Sequence, residues 1–169
     1  MSYPSRIYLI GMPGAGKTTV GKTIAEELNY SFLDLDELIE KEEGKTISEI
    51  FESDGEPAFR EKERDHLRAI LHEKVVISTG GGAPCFYDGI EWMNQNGLTL
   101  YLNRSIQLLV ERTEGRSHRP LLKGDLEGKL RQLLEERESC YQKAGMESSS
   151  TEPCEIIAEL HSFLAAQGD

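Results

Sequence analysis

Short apolar segments alternate with longer amphipathic ones along this chain. Four segments rich in β-branched and aromatic residues, each bounded by Gly, Asp or Asn, predict buried strands at 6–10, 31–35, 74–79 and 98–102. Apolar residues recur every three or four positions between and after them, and predict helices at 17–28, 36–43, 56–72, 87–96, 105–113 and 126–142. This alternation predicts an α/β fold, and short right-handed crossovers make its sheet parallel.

The composition favours one folded domain over residues 1–169. Thirty acidic residues against nineteen basic ones give a formal charge of −11, which repels a phosphodiester backbone, so nucleic acid is not an expected partner. The three cysteines are widely spaced and lack a CxxC pair, which argues against a zinc site or a disulfide framework. No segment has the roughly 18 apolar residues of a membrane span, so we expect a cytoplasmic protein without a membrane partner.

Residues 113–125, TEGRSHRPLLKGD, form a polar connection between two strongly helical segments. Connections of this length without secondary structure are often functional. The pattern therefore predicts a surface loop that acts as a mobile lid.

The segment GMPGAGKT, Gly11 to Thr18, satisfies the pattern GxxxxGK[ST] between a predicted strand and a predicted helix. In such a loop, backbone N–H groups and the helix N-terminus surround phosphate oxygens. Lys17 would reach the β- and γ-phosphates, and the Thr18 hydroxyl would bind Mg²⁺. The alternative, a glycine-rich turn with an incidental lysine, is disfavoured by this context. The loop indicates ATP or GTP, but not the reaction.

Two aspartates follow the second predicted strand. Asp34 and Asp36 are two residues apart, so strand geometry would place both carboxylates on the same side. They lie at the carboxyl edge of the sheet, where α/β folds bind ligands. One would lie near Mg²⁺ and the other near an acceptor hydroxyl. The alternative is a capping aspartate beside a solvated one.

Arg60 occupies an unusual position for a cation. It follows Pro57, which suits a first helical turn, and thus lies close to the positive end of a predicted helix. A bound anion would explain this placement, although Glu56, Glu61 and Glu63 could simply neutralise the charge.

Two further features are a run of glycines after a strand and an arginine on the apolar face of a helix. Gly80 to Gly82 follow the third predicted strand, where consecutive glycines permit close approach of a ligand to backbone N–H groups, or merely form a flexible turn. Arg137 lies on the apolar stripe of the helix at 126–142, where an aliphatic residue would be expected.

Together these motifs resemble the shikimate kinase family. The matching segments are GMPGAGKT at 11–18, DLD at 34–36, DGEPAFRxxE at 54–63, STGGGA at 78–83, RPLL at 119–122 and ERxxxY at 136–141. The resemblance runs from about residue 6 to 165. It implies a nucleoside-monophosphate-kinase-like fold, a three-layer α/β/α arrangement with a five-stranded parallel sheet, a substrate-binding region at about 34–63 and a lid over ATP. It also implies transfer of the γ-phosphoryl group of ATP to the 3-hydroxyl of shikimate, on the route to chorismate and aromatic amino acids.

The resemblance also implies residue roles for the acceptor. Asp36 would bind the shikimate hydroxyls and accept the proton, Arg60 and Arg137 would bind the carboxylate, and Gly80, Gly81 and Gly82 would complete the site. Lys17 and Arg119 would stabilise charge on the transferring phosphoryl group beside Asp36.

For the donor, the resemblance implies that Thr18 binds Mg²⁺ directly and Asp34 through water. The residues implied in ATP binding are Gly14, Ala15, Gly16, Lys17, Thr18, Thr19, Arg112, Arg119 and Pro153. Arg116 and His118 match no family role. The family usually has an Asp-Thr pair before its last loop, where this chain reads MESSSTEP. The sequence therefore departs from the family pattern at the expected fifth strand and at Pro153. A monomer is expected, since few apolar surface patches are evident.

Three alternatives remain at this point. Another small-molecule kinase of the same fold, for gluconate or a nucleoside monophosphate, would carry a different acceptor motif after the second strand. A nucleotide-binding switch without a small acceptor would need a base-reading motif such as NKxD, which the chain lacks. An inactive scaffold would be expected to have lost catalytic positions, and none is missing.

Overall fold

The computed structural model describes residues 3–114 and 125–168. The five strands in this part of the chain are β1 (Arg6–Ile10), β2 (Ser31–Asp34), β3 (Val75–Ser78), β4 (Leu98–Leu102) and β5 (Met146–Ser148). The helices are α1 (Lys17–Leu28), α2 (Leu35–Glu43), α3 (Ile47–Arg68), α4 (Gly89–Asn96), α5 (Ile106–Thr113), α6 (Leu126–Tyr141) and α7 (Pro153–Gln167), with a short 3₁₀ turn at Ala83–Cys85.

The strands form one parallel sheet in the order β2-β3-β1-β4-β5. In β1, the four consecutive residues Ile7 to Ile10 are all buried, so both faces of the sheet centre are covered, as expected for a parallel sheet. Helix α1 packs against β2, β3 and α7, whereas α4 packs against β4 and α5 against α6. The α/β fold with a five-stranded parallel sheet is thereby confirmed, including the fifth strand.

Helix α3 is longer than the sequence pattern predicts. It begins at Ile47 instead of residue 56, because Thr46 and Glu49 form a capping box that starts a helical turn there. Gly55, at φ 84° and ψ 168°, interrupts the helix, and Pro57 lies in the first turn of its second half. The expected placement of Pro57 and Arg60 near a helix start therefore holds for this second half.

Strand β2 is one residue shorter than predicted, and the geometric argument for its two aspartates is wrong. The strand ends at Asp34, whose side chain accepts a hydrogen bond from the Glu37 N–H (3.2 Å) and caps α2. Asp36 therefore lies in the first turn of a helix and not on a strand. Both carboxylates still reach one cavity, because α2 begins directly at the carboxyl edge of the sheet.

None of the helices within residues 3–114 and 125–168 combines the length and apolarity needed to cross a bilayer.

Candidate active site

A cavity of about 480 Å³ opens at the carboxyl ends of the strands. Its walls come from segments that follow β1, β2, β3 and β5, where open α/β sheets bind ligands. Every candidate residue within the described ranges lines it: Gly14, Ala15, Gly16, Lys17, Thr18, Thr19, Asp34, Asp36, Arg60, Gly80, Gly81, Gly82, Arg112, Arg137 and Pro153. Arg119, Arg116, His118 and most of the predicted lid lie outside the described residues.

The loop between β1 and α1 is folded around its own lysine. The Lys17 ammonium donates hydrogen bonds to the carbonyls of Gly11 (2.7 Å) and Met12 (3.0 Å). Gly16 precedes α1 in a left-handed conformation, at φ 91°, that a residue with a side chain would adopt only with strain. The loop leads directly into the N-terminus of α1 at the cavity wall, the arrangement in which phosphate-binding loops hold an anion.

A hydroxyl and a carboxylate meet at the end of β2. The Thr18 hydroxyl donates a hydrogen bond to Asp34 Oδ2 (3.1 Å), and Asp34 Oδ1 caps α2. Such hard oxygen ligands fit Mg²⁺, which usually takes one or two protein oxygens and completes its shell with phosphates and water. Among the described residues there is no group of three or more His, Cys, Asp or Glu side chains suited to a metal, so these two donors would hold a metal only with such additional ligands.

Arg60 is held in place from several directions. Only 4% of its surface is exposed. Its guanidinium donates to Glu56 Oε1 (3.1 Å) and Glu63 Oε1 (2.9 Å), and stacks over the rings of Phe59 and Phe86. Of the three glutamates that could neutralise it, two therefore do so. This arrangement fixes a cation in the cavity wall at little further entropy cost.

Glu63 is the buried partner of Arg60. Its Oε1 accepts from Arg60, whereas its buried Oε2 has no hydrogen-bond partner among the residues that the structure describes. Burial, with a smaller contribution from the nearby charge of Asp36, raises the pKa of Glu63 to about 7, although Arg60 and Arg137 stabilise the ionised form. Glu63 is therefore much easier to protonate than an exposed glutamate.

The Gly80–Gly82 run is closely packed against charged side chains. A Cβ at Gly80 would lie 2.6 Å from Glu63 Oε2, and one at Gly81 would lie 2.7 Å from Arg137 Nη1. A Cβ at Gly82 would overlap the Arg60 guanidinium. The sequence predicts that these glycines allow close approach of a ligand. They also leave space for the side chains of Glu63, Arg137 and Arg60 in the cavity wall.

Helix α6 contributes one buried arginine to the same wall, and a buried tyrosine behind it. Arg137 is 6% exposed and lines the cavity, so its place on an apolar stripe reflects burial beside the glycine run. One turn later, the hydroxyl of Tyr141 donates a hydrogen bond to the Gly81 carbonyl (2.6 Å), and its ring stacks on Tyr101. Helix α6 is thereby tied to the loop after β3.

The opposite side of the cavity is lined by Arg112, Thr151 and Pro153. Arg112, in the last turn of α5, donates a hydrogen bond to the Ala15 carbonyl (3.1 Å). Pro153 is the first residue of α7. These residues border the phosphate loop on the side away from Arg60 and Glu63, which suits the base end of a nucleotide.

Two residues of this site were not assigned a role from the sequence. Glu63 was considered only as a neutralising charge, although its position three residues after Arg60 is the helical spacing that allows contact. Tyr141 is the last residue of the ERxxxY segment, and no local signal distinguishes its hydroxyl contact from ordinary burial.

Most of the chain matches the shikimate kinase family in sequence. The sequence profile of shikimate kinases matches residues 13–165. A shikimate kinase of Parabacteroides distasonis is 48% identical over 147 residues, which are 83% of this chain and 85% of that protein.

Solved structures agree with that match. The shikimate kinase of Acinetobacter baumannii in complex with shikimate superposes with a TM-score of 0.92 at 36% identity, over 98% of this chain and 95% of that one. The Bacteroides thetaiotaomicron enzyme gives 0.88 at 41% identity, over 96% and 99%. A gluconokinase of Sinorhizobium meliloti, at 20% identity and a TM-score of 0.60, shares the fold only. The chain therefore belongs to the shikimate kinase family.

Proposed function

We propose that this protein transfers the γ-phosphoryl group of ATP to the 3-hydroxyl of shikimate, yielding shikimate 3-phosphate and ADP for aromatic amino acid biosynthesis. The observation that carries the proposal is a single cavity bounded by a phosphate-binding loop and by two buried arginines, Arg60 and Arg137. The planar guanidinium of an arginine can donate two parallel hydrogen bonds to a carboxylate. The cavity therefore suits an anionic acceptor beside the triphosphate.

In the acceptor half, Arg60 and Arg137 hold the shikimate carboxylate, and the Gly80–Gly82 backbone contacts the ring. The oxygen of the shikimate 3-hydroxyl attacks the γ-phosphorus, and Asp36 accepts the proton of that hydroxyl. The bond from the γ-phosphorus to the β-γ bridging oxygen breaks, and ADP leaves. The nearness of Asp36 to the glycine run supports this role, since its Oδ1 would lie only 3.2 Å from a Cβ added at Gly80.

In the donor half, Gly14 to Thr19 surround the phosphates, and Arg112 and Pro153 border the adenine. Thr18 and Asp34 would hold Mg²⁺, directly and through water respectively, and this ion would supply neutralisation of charge on the β- and γ-phosphate oxygens. Lys17 donates to the transferring phosphoryl group. The placement of these residues around one cavity supports the assignment.

The remaining parts of the proposal rest on the family resemblance. Arg119, in the segment RPLL, stabilises charge on the transferring phosphoryl group, and residues 113–125 act as a lid. The protein acts as a monomer in the cytoplasm.

The reaction is tested by measuring ADP release in a coupled assay with ATP and Mg²⁺. Four parallel reactions contain shikimate, gluconate, AMP or no acceptor. We expect release that depends on shikimate, because the chain belongs to the shikimate kinase family, whereas the gluconokinase that it resembles shares only the fold. Equal ADP release with and without shikimate would overturn the proposed reaction, and faster release with gluconate or AMP would replace the acceptor.

Shikimate binding near neutral pH is expected to take up protons. The ligand carboxylate competes with Glu63 for Arg60, so it raises further a pKa that is already about 7. The charged groups facing Glu63 are Arg60, Arg137 and Asp36. Uptake at pH 7 should reach at most about half a proton, since a group at its pKa is already half protonated. Because a proton is gained on binding, the affinity should fall as the pH rises above 7.

Titration calorimetry at one pH in buffers of different ionisation enthalpy measures this uptake. Glu63→Gln should make the observed heat independent of the buffer. Glu56→Gln is the matched control, since Glu56 also contacts Arg60 but its side chain is 45% exposed, and it should retain the uptake. Buffer-independent heats in the parent protein would contradict the prediction.

A further inference from the structure

Arg104 is a buried arginine outside the wall of the cavity, in the connection between β4 and α5. It is 5% exposed. Its Nε donates to the Ala15 carbonyl (3.2 Å), and its Nη1 donates to the carbonyls of Asn103 (3.1 Å) and Ser148 (3.4 Å). The side chain thus joins three backbone segments: the phosphate loop, the end of β4 and the end of β5.

The contact with Ala15 determines the orientation of one peptide group. In a planar trans peptide, the Ala15 carbonyl and the Gly16 N–H point in opposite directions. Arg104 and Arg112 both donate to this carbonyl, so the Gly16 N–H is directed away from them. Gly16 lines the cavity, whereas Arg104 does not. Two cationic donors on the carbonyl also polarise the peptide, which makes its N–H a stronger donor to an anion.

The contact with Ser148 reaches the other end of the nucleotide region. Strand β5 ends at Ser148, and the chain then leads to Thr151 and Pro153 in the cavity wall. Arg104 therefore fixes, through one rigid guanidinium, the loop expected to bind phosphate and the segment expected to border adenine.

This arrangement carries a cost to the stability of the fold. Arg104 Nη2 is buried without a hydrogen-bond partner among the described residues, and a buried unpaired donor is costly. Burial, and then the nearby charge of Arg112, lower the pKa of Arg104. Replacing a buried ionic group with an apolar one of similar size is often neutral or stabilising. The geometry of Arg104 is thus better explained by what it orients than by the stability it contributes.

We propose that Arg104 is a positioning residue for ATP, which orients the Ala15–Gly16 peptide toward the phosphates and holds the segment beside the adenine. The proposal rests on the ATP-dependent reaction proposed above. Arg104 acts through these backbone groups and does not contact the reacting atoms.

The test compares Arg104→Met with the parent protein, using the ADP-release assay and calorimetric titration with ATP. We expect the KM and Kd for ATP to rise about tenfold, the size expected for the loss of one hydrogen bond from a charged donor. The kcat and the KM for shikimate should stay close to the parent values, and the thermal midpoint should not fall. Arg104→Lys should give an intermediate KM for ATP, since one ammonium cannot reproduce the guanidinium geometry.

Arg6→Met is the matched control. Arg6 also donates to two backbone carbonyls, those of Leu71 (2.9 Å) and Asn96 (3.5 Å). It lies at the start of β1, at the amino ends of the strands and away from the cavity. It should leave the KM for ATP unchanged. An unchanged KM for ATP in Arg104→Met, or equal losses for both substrates with a lowered thermal midpoint, would overturn the proposal. Failure of the parent itself to consume ATP would instead refute the proposed reaction.

Discussion

Asp36→Asn is expected to lower kcat by about 100-fold or more, the contribution typical of a positioned general base. The carboxylate lies in the first turn of α2 and lines the cavity beside Gly80 and Glu63. Asparagine keeps the size of the side chain and one acceptor oxygen, but its amide cannot accept the proton of the attacking hydroxyl. ATP binding should be retained, because the phosphate loop belongs to a different segment of the wall.

Steady-state kinetics at saturating substrates measure this loss, and calorimetric titration with ATP measures the retained affinity. Asp65→Asn is the matched control, since Asp65 lies near the end of α3, pairs with Arg64 and has a side chain that is 67% exposed. It should keep the parent kcat. A near-normal kcat in Asp36→Asn would exclude this residue as the base.

Lys17→Met should lower kcat by about 100- to 1000-fold, as removal of one preorganised donor to a developing negative charge does in other enzymes. Lys17 is already held by the carbonyls of Gly11 and Met12 at the mouth of the phosphate loop. Its charge is thereby kept in the cavity wall, beside the loop expected to bind the phosphates. Methionine preserves much of the length of the side chain and removes only the ammonium.

The kcat at saturating ATP gives the transition-state effect, and the KM for ATP gives the accompanying loss in binding. Lys22→Met provides the control on the same helix, because Lys22 is exposed, lies near the ring of Phe32 and is not part of the cavity wall. It should behave like the parent protein. If Lys17→Met affected only the KM for ATP, the role of Lys17 would be restricted to binding.

The donor half of the site could be predicted from a short stretch of sequence. Gly11 to Thr18 contain nearly all the information for their own conformation, because the glycines, the lysine and the start of α1 are contiguous. The acceptor half is different. Asp36, Arg60, Gly82 and Arg137 come from four separate elements, and no local pattern brings them together. Their common placement was reached through the family resemblance, since it depends on long-range packing.

The misjudged elements have identifiable physical causes. The pattern does not predict the first half of α3, because Pro57 suits the start of a helix, whereas buried Ile50 and the contact of Phe51 with Phe59 stabilise helix on both sides of Gly55. Strand geometry requires Asp34 and Asp36 to be neighbours on one strand, although the predicted strand ends at residue 35, and the capping alternative is the one that the structure shows for Asp34. In each case side-chain packing or capping outweighed the local pattern.

Arg104 could not have been distinguished by sequence at all. It stands in NRS, between a strand and a helix, where an exposed arginine would be ordinary. Only the approach of the phosphate loop and the end of β5 gives it three carbonyl contacts.

The close packing around the Gly80–Gly82 run limits how this site can evolve. An added methyl group at any one of the three glycines would displace a charged side chain of the acceptor half. We expect single substitutions there to shift the side chains that bind the acceptor and so to lower activity before they broaden it. Redesign of acceptor preference therefore has to begin with α2, α3 and α6, and change the loop only together with them.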